Sequence, residues 1–195
     1  MNRLLHLDPI AVDDEYNEAF NKTVGSGRFF LYDHWGSLES DNLIAKVRYL
    51  CKALEVEYIF LDHISIVVSG MEGGDERRII DNLMTSLRSL VEETGIGMVL
   101  VSHLKRPEGR GHEEGAATSL AHLRGSASIA QLSDGVIGCE RNLQDEDASN
   151  VTKLRVLKNR FSGETGLACD VVFNPNTGRI HEITSLTPQS NNEPF

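Results

Sequence analysis

Two runs of uninterrupted strand-forming residues, YIFLDHISIVVSG at 58–70 and GMVLVSHL at 97–104, constrain this 195-residue chain most. Strands with one wet face alternate apolar and polar residues, whereas continuous apolar runs mark parallel strands covered on both faces. Between the two runs, residues 75–94 carry Ile79, Leu83, Leu87 and Leu90 at helical spacing, and Gly95 and Gly97 end the helix. Strand, helix, strand in that order is the crossover a parallel pair requires, so the chain is read as α/β. The same reasoning predicts a short strand at FFLYD (29–33), a helix over 39–55 with Leu43, Val47, Leu50 and Leu54 on one face, and a strand over 58–68. After the loop KRPEGRGHEEGAATSLAH comes a short helix around 122–132 and then the strand GVIGCER. VTKLRVLKNRF and GLACDVVFN predict neighbouring antiparallel strands, and the tail TSLTPQSNNEPF is expected to be disordered.

One core is the default for this length, and no apolar run approaches the roughly 20 residues that span a bilayer. The opening MNRLLHLDPIAVDDE turns acidic too soon for a signal peptide. Cys51, Cys139 and Cys169 have no paired spacing and are expected to be buried free thiols of a reducing cytoplasm. A net charge of −10 argues against a surface coated for nucleic acid, but leaves local basic loops open. The seven histidines do not fall at metal-ligand spacings.

Open parallel sheets gather ligands at the carboxyl ends of their strands. Asp62–His63 follows YIFL and Ser102–His103 follows GMVLV, both at that edge. An acid after four apolar residues suits a carboxylate that holds a nucleotide's magnesium through water; an acid capping a turn, or paired with an arginine, fits equally. His103 could donate to a γ-phosphate or simply cap its strand. The phosphate loop G-x-x-x-x-G-K-[ST] is not found, because no Gly-Lys pair occurs and GSGR at 25–28 is too short. Ser126 and Ser128 lie near His122 without a nucleophile-elbow pattern. Lys158 and Arg160, two apart on a strand, share a face and repel unless an anion lies near; a solvated edge strand is the plainer alternative. Lys105, Arg106 and Arg110 in the Gly-rich loop, with Arg124 and Gly125 at the start of the next helix, could grip a phosphate backbone. No Phe, Tyr or Trp occurs between 62 and 160, so such a grip would not read bases by stacking.

In order, LDHISIVVSG, DERRIIDNLMTSLR, VLVSHLKRPEGRGHEEG, HLRGSASIAQLSD, GCERN and LKNRFSGETG resemble the helicase half of phage primase–helicases, within the DnaB-like hexameric group. The resemblance covers residues 28–183, with 1–27 matching loosely and 184–195 as a polar tail. It implies a RecA-like, largely parallel sheet flanked by helices, with antiparallel C-terminal edge strands. It further implies an ATP-driven replicative DNA helicase of a phage, acting in the host cytoplasm as a homo-oligomeric ring on single-stranded DNA, with magnesium and ATP. By position, Asp62 resembles the Walker B acid and His103 the γ-phosphate sensor. Lys105, Arg106 and Arg110 resemble a channel DNA loop, and Arg124 and Gly125 the second DNA element. Gln131 lies on the helix linking that element to the nucleotide, Arg160 resembles the arginine finger with Lys158 beside it, and Phe173 the ring against the base.

The family's Walker A loop and catalytic glutamate have no counterpart here, so the first strand and helix of the core are expected to be missing. An exposed strand edge and apolar surface should follow. The chain is then expected to be inactive alone, as the C-terminal part of a helicase. The alternative is a non-catalytic ring-assembly or DNA-binding module that complements a separate polypeptide carrying the phosphate loop. A RecA-type recombinase fits LKNRFSGETG and VSHLKRPEGRG less well.

Overall fold

The computed structural model describes residues 9–32, 40–65, 76–107, 109–123 and 127–183. They belong to two units, Met1–Gly36 and Ser37–Phe195.

The first unit is built on helix α1, Pro9–Lys22, which opens on a proline whose missing N–H costs nothing at that position. Thr23 Oγ1 donates to the Ala19 carbonyl at 2.7 Å and satisfies one of the last acceptors. A 3₁₀ turn at Val24–Ser26 follows, and Gly27 takes φ +76°, a conformation that favours glycine. The strand expected at FFLYD does not form: residues 29–32 are irregular and their four side chains exposed, while Asp33 lies outside the described residues. A strand needs a neighbour for its backbone groups, and among the described residues this unit offers none.

The second unit runs α2 (Ser40–Ala53), β1 (Tyr58–Leu61), α3 (Glu76–Thr94), β2 (Gly97–Leu100), α4 (Ala127–Leu132), β3 (Gly135–Arg141), β4 (Val151–Asn159), β5 (Gly166–Asn174) and β6 (Arg179–Ile183). Among the described residues β1 and β2 pair in parallel, and β3-β4-β5-β6 form an antiparallel sheet in that order. Helix α3 carries the core, with Ile80, Leu83, Met84, Leu87 and Leu90 buried. Leu83, Leu87 and Leu90 follow the expected stripe, whereas Ile80 takes the central place and Ile79 is only half-buried. Leu43 and Val47 of α2 pack into the same cluster. Leu54, expected on that face, follows the end of α2 and is exposed. Glu93 of α3 binds Arg48 at 3.0 Å and Lys52 at 2.8 Å on α2.

Strand β1 ends at Leu61, well short of the expected 68, and the chain turns helical at Ile64. Leaving the strand plane lets Ile64 bury completely while its N–H donates to the Val101 carbonyl at 3.0 Å. Residues 66–68 lie outside the described residues, as does the tail 184–195. Ile59, Leu61, Met98 and Leu100 face the core, but Tyr58 (65% exposed), Phe60 (73%), Val99 and Val101 alternate onto an uncovered face. The continuous apolar run therefore predicts two covered faces where this structure covers one. Gly97 lies beneath Tyr58, whose ring would have to shift to admit a Cβ there, 2.5 Å away. Cysteine burial also differs from expectation: Cys139 is exposed, and Cys51 and Cys169 are intermediate. Cys139 alternates with the buried Gly138 and Glu140 on β3, so the pleat turns it outward. No helix among the described residues is long and apolar enough to cross a membrane.

Phe60→Ser should change stability by no more than about 0.5 kcal/mol and reduce concentration-dependent light scattering, whereas Leu83→Ala should cost about 2–5 kcal/mol in urea unfolding. A Phe60→Ser loss as large as that of Leu83→Ala would show that the face is covered.

Candidate functional site

The parallel pairing of β1 with β2 sets two chain exits side by side. Leu61 is in register with Leu100, and the ladder continues as Val101 N–H donates to the Leu61 carbonyl at 2.9 Å. Asp62–His63 and Ser102–His103 thus leave the same sheet edge. Asp62 is exposed rather than buried, so its charge needs no protein partner. The His63 and His103 rings meet edge to face, with centroids 4.2 Å apart and planes at 69°. His103 is exposed, while His63 is half-buried with its Nδ1 buried and without a hydrogen-bond partner. A single exposed carboxylate fits magnesium, which keeps its waters and takes one or two carboxylates plus substrate phosphates. Among the described residues no cluster of three or more His, Cys, Asp or Glu could hold a metal by itself.

The Gly-rich loop after β2 is pinned at both ends. Lys105 N–H donates to the His122 carbonyl at 2.7 Å, beside the Leu104–Leu123 bridge. The His112 and His122 rings pack at 5.1 Å across this base. The side chains of Lys105, Arg106 and Arg110 are exposed, and Arg106 approaches Glu113 only at 4.0 Å. Arg124 and Gly125 lie outside the described residues. The far end of the loop is held by Glu140 of β3, which is 6% exposed. Glu140 accepts from Thr118 N–H (2.7 Å), Thr118 Oγ1 (2.9 Å) and Arg155 Nε (2.6 Å) of β4. Gly138 leaves the room this needs, since a Cβ there would sit 2.0 Å from Thr118 Oγ1. Burial opposes the charge on Glu140, but Arg155 and the Thr118 donors outweigh it and hold the carboxyl down at about 2.

Lys158 and Arg160 do share a face, and what lies between them is the carboxyl end of α4. Lys158 Nζ donates to the carbonyls of Ala130 (2.6 Å) and Gln131 (3.1 Å), and Arg160 Nη2 donates to that of Gln131 (3.0 Å). Cations suit the negative end of a helix dipole. β4 is flanked by both β3 and β5 only over residues 152–156; Lys158 is paired on one side alone, with Val136 of β3, and Arg160 follows the strand. Asp134, just past α4, completes the group by binding Arg160 Nη1 at 2.7 Å and, through its other oxygen, Arg88 Nη1 of α3 at 2.7 Å. Gln131 contributes its backbone carbonyl here, while its side chain is exposed. Phe173 stands on β5, 41% exposed, paired across the ladder with Ile180.

Three groupings result: Asp62 with His103, the basic loop, and Gln131 with Lys158 and Arg160. Among the described residues no hydrogen bond or ion pair joins Asp62 or His103 to Lys158 or Arg160. Sequence reasoning assigned nothing to Asp134, Arg88, Glu140 or His63. Asp134 sits at the bend between α4 and β3, followed by Gly135, where aspartate has local reasons to occur. His63 was visible only as the residue after Asp62.

An α/β core with a parallel strand pair, polar exits at its carboxyl edge and an antiparallel extension is consistent with the expected RecA-like fold. The DnaB-like helicase C terminal domain family matches residues 12–182, and the chain belongs to it. It is 46% identical over 179 residues to the DNA helicase/primase of Enterobacteria phage T3, covering 91% of this chain and 31% of that protein. It is 30% identical over 119 residues to the replicative DNA helicase DnaB of Treponema pallidum, covering 61% of this chain and 25% of that one. The chain thus spans about a third or less of these curated relatives. Among solved structures, an isolated ATPase domain superposes with a TM-score of 0.60 at 17% identity, covering 76% of this chain and 52% of that one. A DnaB-like replicative helicase, described with its interactions with primase, gives 0.59 at 15% identity, covering 74% and 35%.

Glu140→Gln should destabilise the protein by on the order of 2–3 kcal/mol at pH 7. A lowered folded pKa stabilises above the unfolded value of 4.5 and is lost as pH falls towards about 2. The variant should therefore show a flatter loss of stability over that window; parallel acid-unfolding curves for the two proteins would contradict this.

Proposed function

We propose that this chain forms the C-terminal part of an ATP-dependent replicative DNA helicase that works as a homo-oligomeric ring on single-stranded DNA. The observation that carries the reading is the juxtaposition of Asp62 and His103 at the carboxyl edge of a parallel pair, in a chain 46% identical to a phage helicase/primase. In this reading Asp62 holds magnesium through water and His103 senses the γ-phosphate. Bound magnesium–ATP supplies the phosphoanhydride and the charge that Asp62 and His103 meet. Lys105, Arg106 and Arg110, with Arg124 and Gly125, hold the DNA backbone. Arg160 with Lys158 reaches a neighbouring subunit's nucleotide as an arginine finger, a role that can contribute about 10³–10⁵ in rate. Gln131 lies on the helix that links the second DNA element to the nucleotide, and Phe173 meets the base.

The phosphate cradle comes from outside these 195 residues, since no Gly-Lys pair occurs in them. The uncovered face of Tyr58, Phe60, Val99 and Val101 favours a second reading in which the chain is a non-catalytic module that assembles with a polypeptide carrying that cradle.

The chain alone, with magnesium–ATP and oligo-dT, should show no turnover above a protein-free control. Sustained phosphate release by the purified chain would overturn the requirement for an external cradle. Lys105→Ala should weaken oligonucleotide binding similarly for every base composition and reduce the log–log salt slope by about 0.7, as loss of one phosphate contact to a single strand requires. An effect confined to one base composition would rule out a backbone grip.

A further inference from the structure

Asp134 is the residue on which three elements converge. Its Oδ1 lies 2.7 Å from Arg160 Nη1 and its Oδ2 lies 2.7 Å from Arg88 Nη1, so the carboxylate cannot rotate without losing one arginine. Its carbonyl accepts from Arg160 N–H at 2.8 Å, fixing the backbone as well as the side chain. Arg88 is itself steadied by Glu92, whose Oε1 accepts from Nε at 2.9 Å. On the other side, Arg160 Nη2 rests on the Gln131 carbonyl at 3.0 Å. The guanidinium is thus held at two corners, although its side chain is 43% exposed. Its hydrogen bond goes to the Gln131 carbonyl while Asp134 meets it as an ion pair, so most of its five N–H donors stay available to an anion. Three cations, Arg88, Lys158 and Arg160, surround one aspartate and a helix carboxyl end, with Glu92 on the far side of Arg88. The cluster keeps an excess of positive charge beside Arg160.

We propose that Asp134 is a positioning residue that pre-orients Arg160 for an anion brought by a neighbouring subunit, with Arg88 bracing it from α3. This rests on the reading of Arg160 as the finger. An unheld arginine would have to order several rotatable bonds at each encounter, whereas a held one meets the anion with that cost already met in folding. Since Asp134 lies two residues past the end of α4, the same contacts tie the attitude of Arg160 to that helix.

The test mixes the 195-residue chain with the phage T3 helicase/primase in magnesium–ATP and oligo-dT, and reads the change in kcat and KM over the T3 protein alone. NMR of arginine Nε–Hε groups in the chain by itself reads the order of Arg160. Asp134→Asn should loosen Arg160 in the NMR spectrum and lower the chain-dependent kcat about 10–100-fold at unchanged KM, the scale expected of a misplaced catalytic group. Asp134→Glu should restore part of both. Should Asp134→Asn fail to fold, Arg88→Gln, which keeps Asp134 on Arg160, should give an intermediate loss of order and rate. Equal order and rate in the variant and the parent, with Arg160→Ala still inactive, would overturn the positioning role alone. A parent chain that adds nothing, or an Arg160→Ala chain as effective as the parent, would overturn the finger reading and this proposal with it.

Discussion

The apolar stripe of α3 is the constraint on which the second unit depends. Ile80, Leu83, Met84, Leu87 and Leu90 belong to one cluster with Ile64 beyond β1, Ile96 before β2, and Leu123 and Ile129 around α4. The parallel pair and the helix leading to the antiparallel sheet are therefore seated on one helix. Its polar side adds directional ties, since Glu93 reaches α2 and Arg88 reaches Asp134. Burial of this one-sided stripe sets which face of the helix meets the core, and the ion pairs add directional contacts on its polar side. The ion pairs at Glu93 are exposed, so their contribution is mainly to register.

The buried Glu140 group plays a similar part for the basic loop. A loop rich in glycine and charge has little apolar surface with which to hold itself. Thr118 supplies two donors to a carboxylate already paired with Arg155, and Lys105 is tied to His122 at the other end. The exposed cations near Lys105 therefore sit on an arch with fixed feet. An arch of this kind can present charge to a phosphate backbone at low ordering cost.

Much of the fold was legible in the sequence because burial patterns repeat with the geometry of helices and strands. Helix α3, the strand at 135–141 and the antiparallel pair that follows are all readable from periodicity and length. The failures have a common cause. FFLYD has strand-forming residues but, among the described residues, no partner in its unit, and the run 58–68 has strand-forming residues beyond the point where Ile64 gains more by entering the core. Propensity reports what a segment can do, and pairing decides what it does.

Within the candidate site, the types and order of the groups could be read along the chain: an acid and a histidine after two parallel strands, a basic loop, and two cations near the end of a strand. Spacing along the chain suffices for that, because strand exits and alternating faces follow from backbone geometry. Their partners depended on packing. That Lys158 and Arg160 rest on the carboxyl end of α4, that Asp134 is shared with Arg88 forty-six residues away, and that His63 meets His103 all depend on how packed elements are rotated. Directional contacts between distant residues leave no periodic trace, so they emerge only when the core has set the angles.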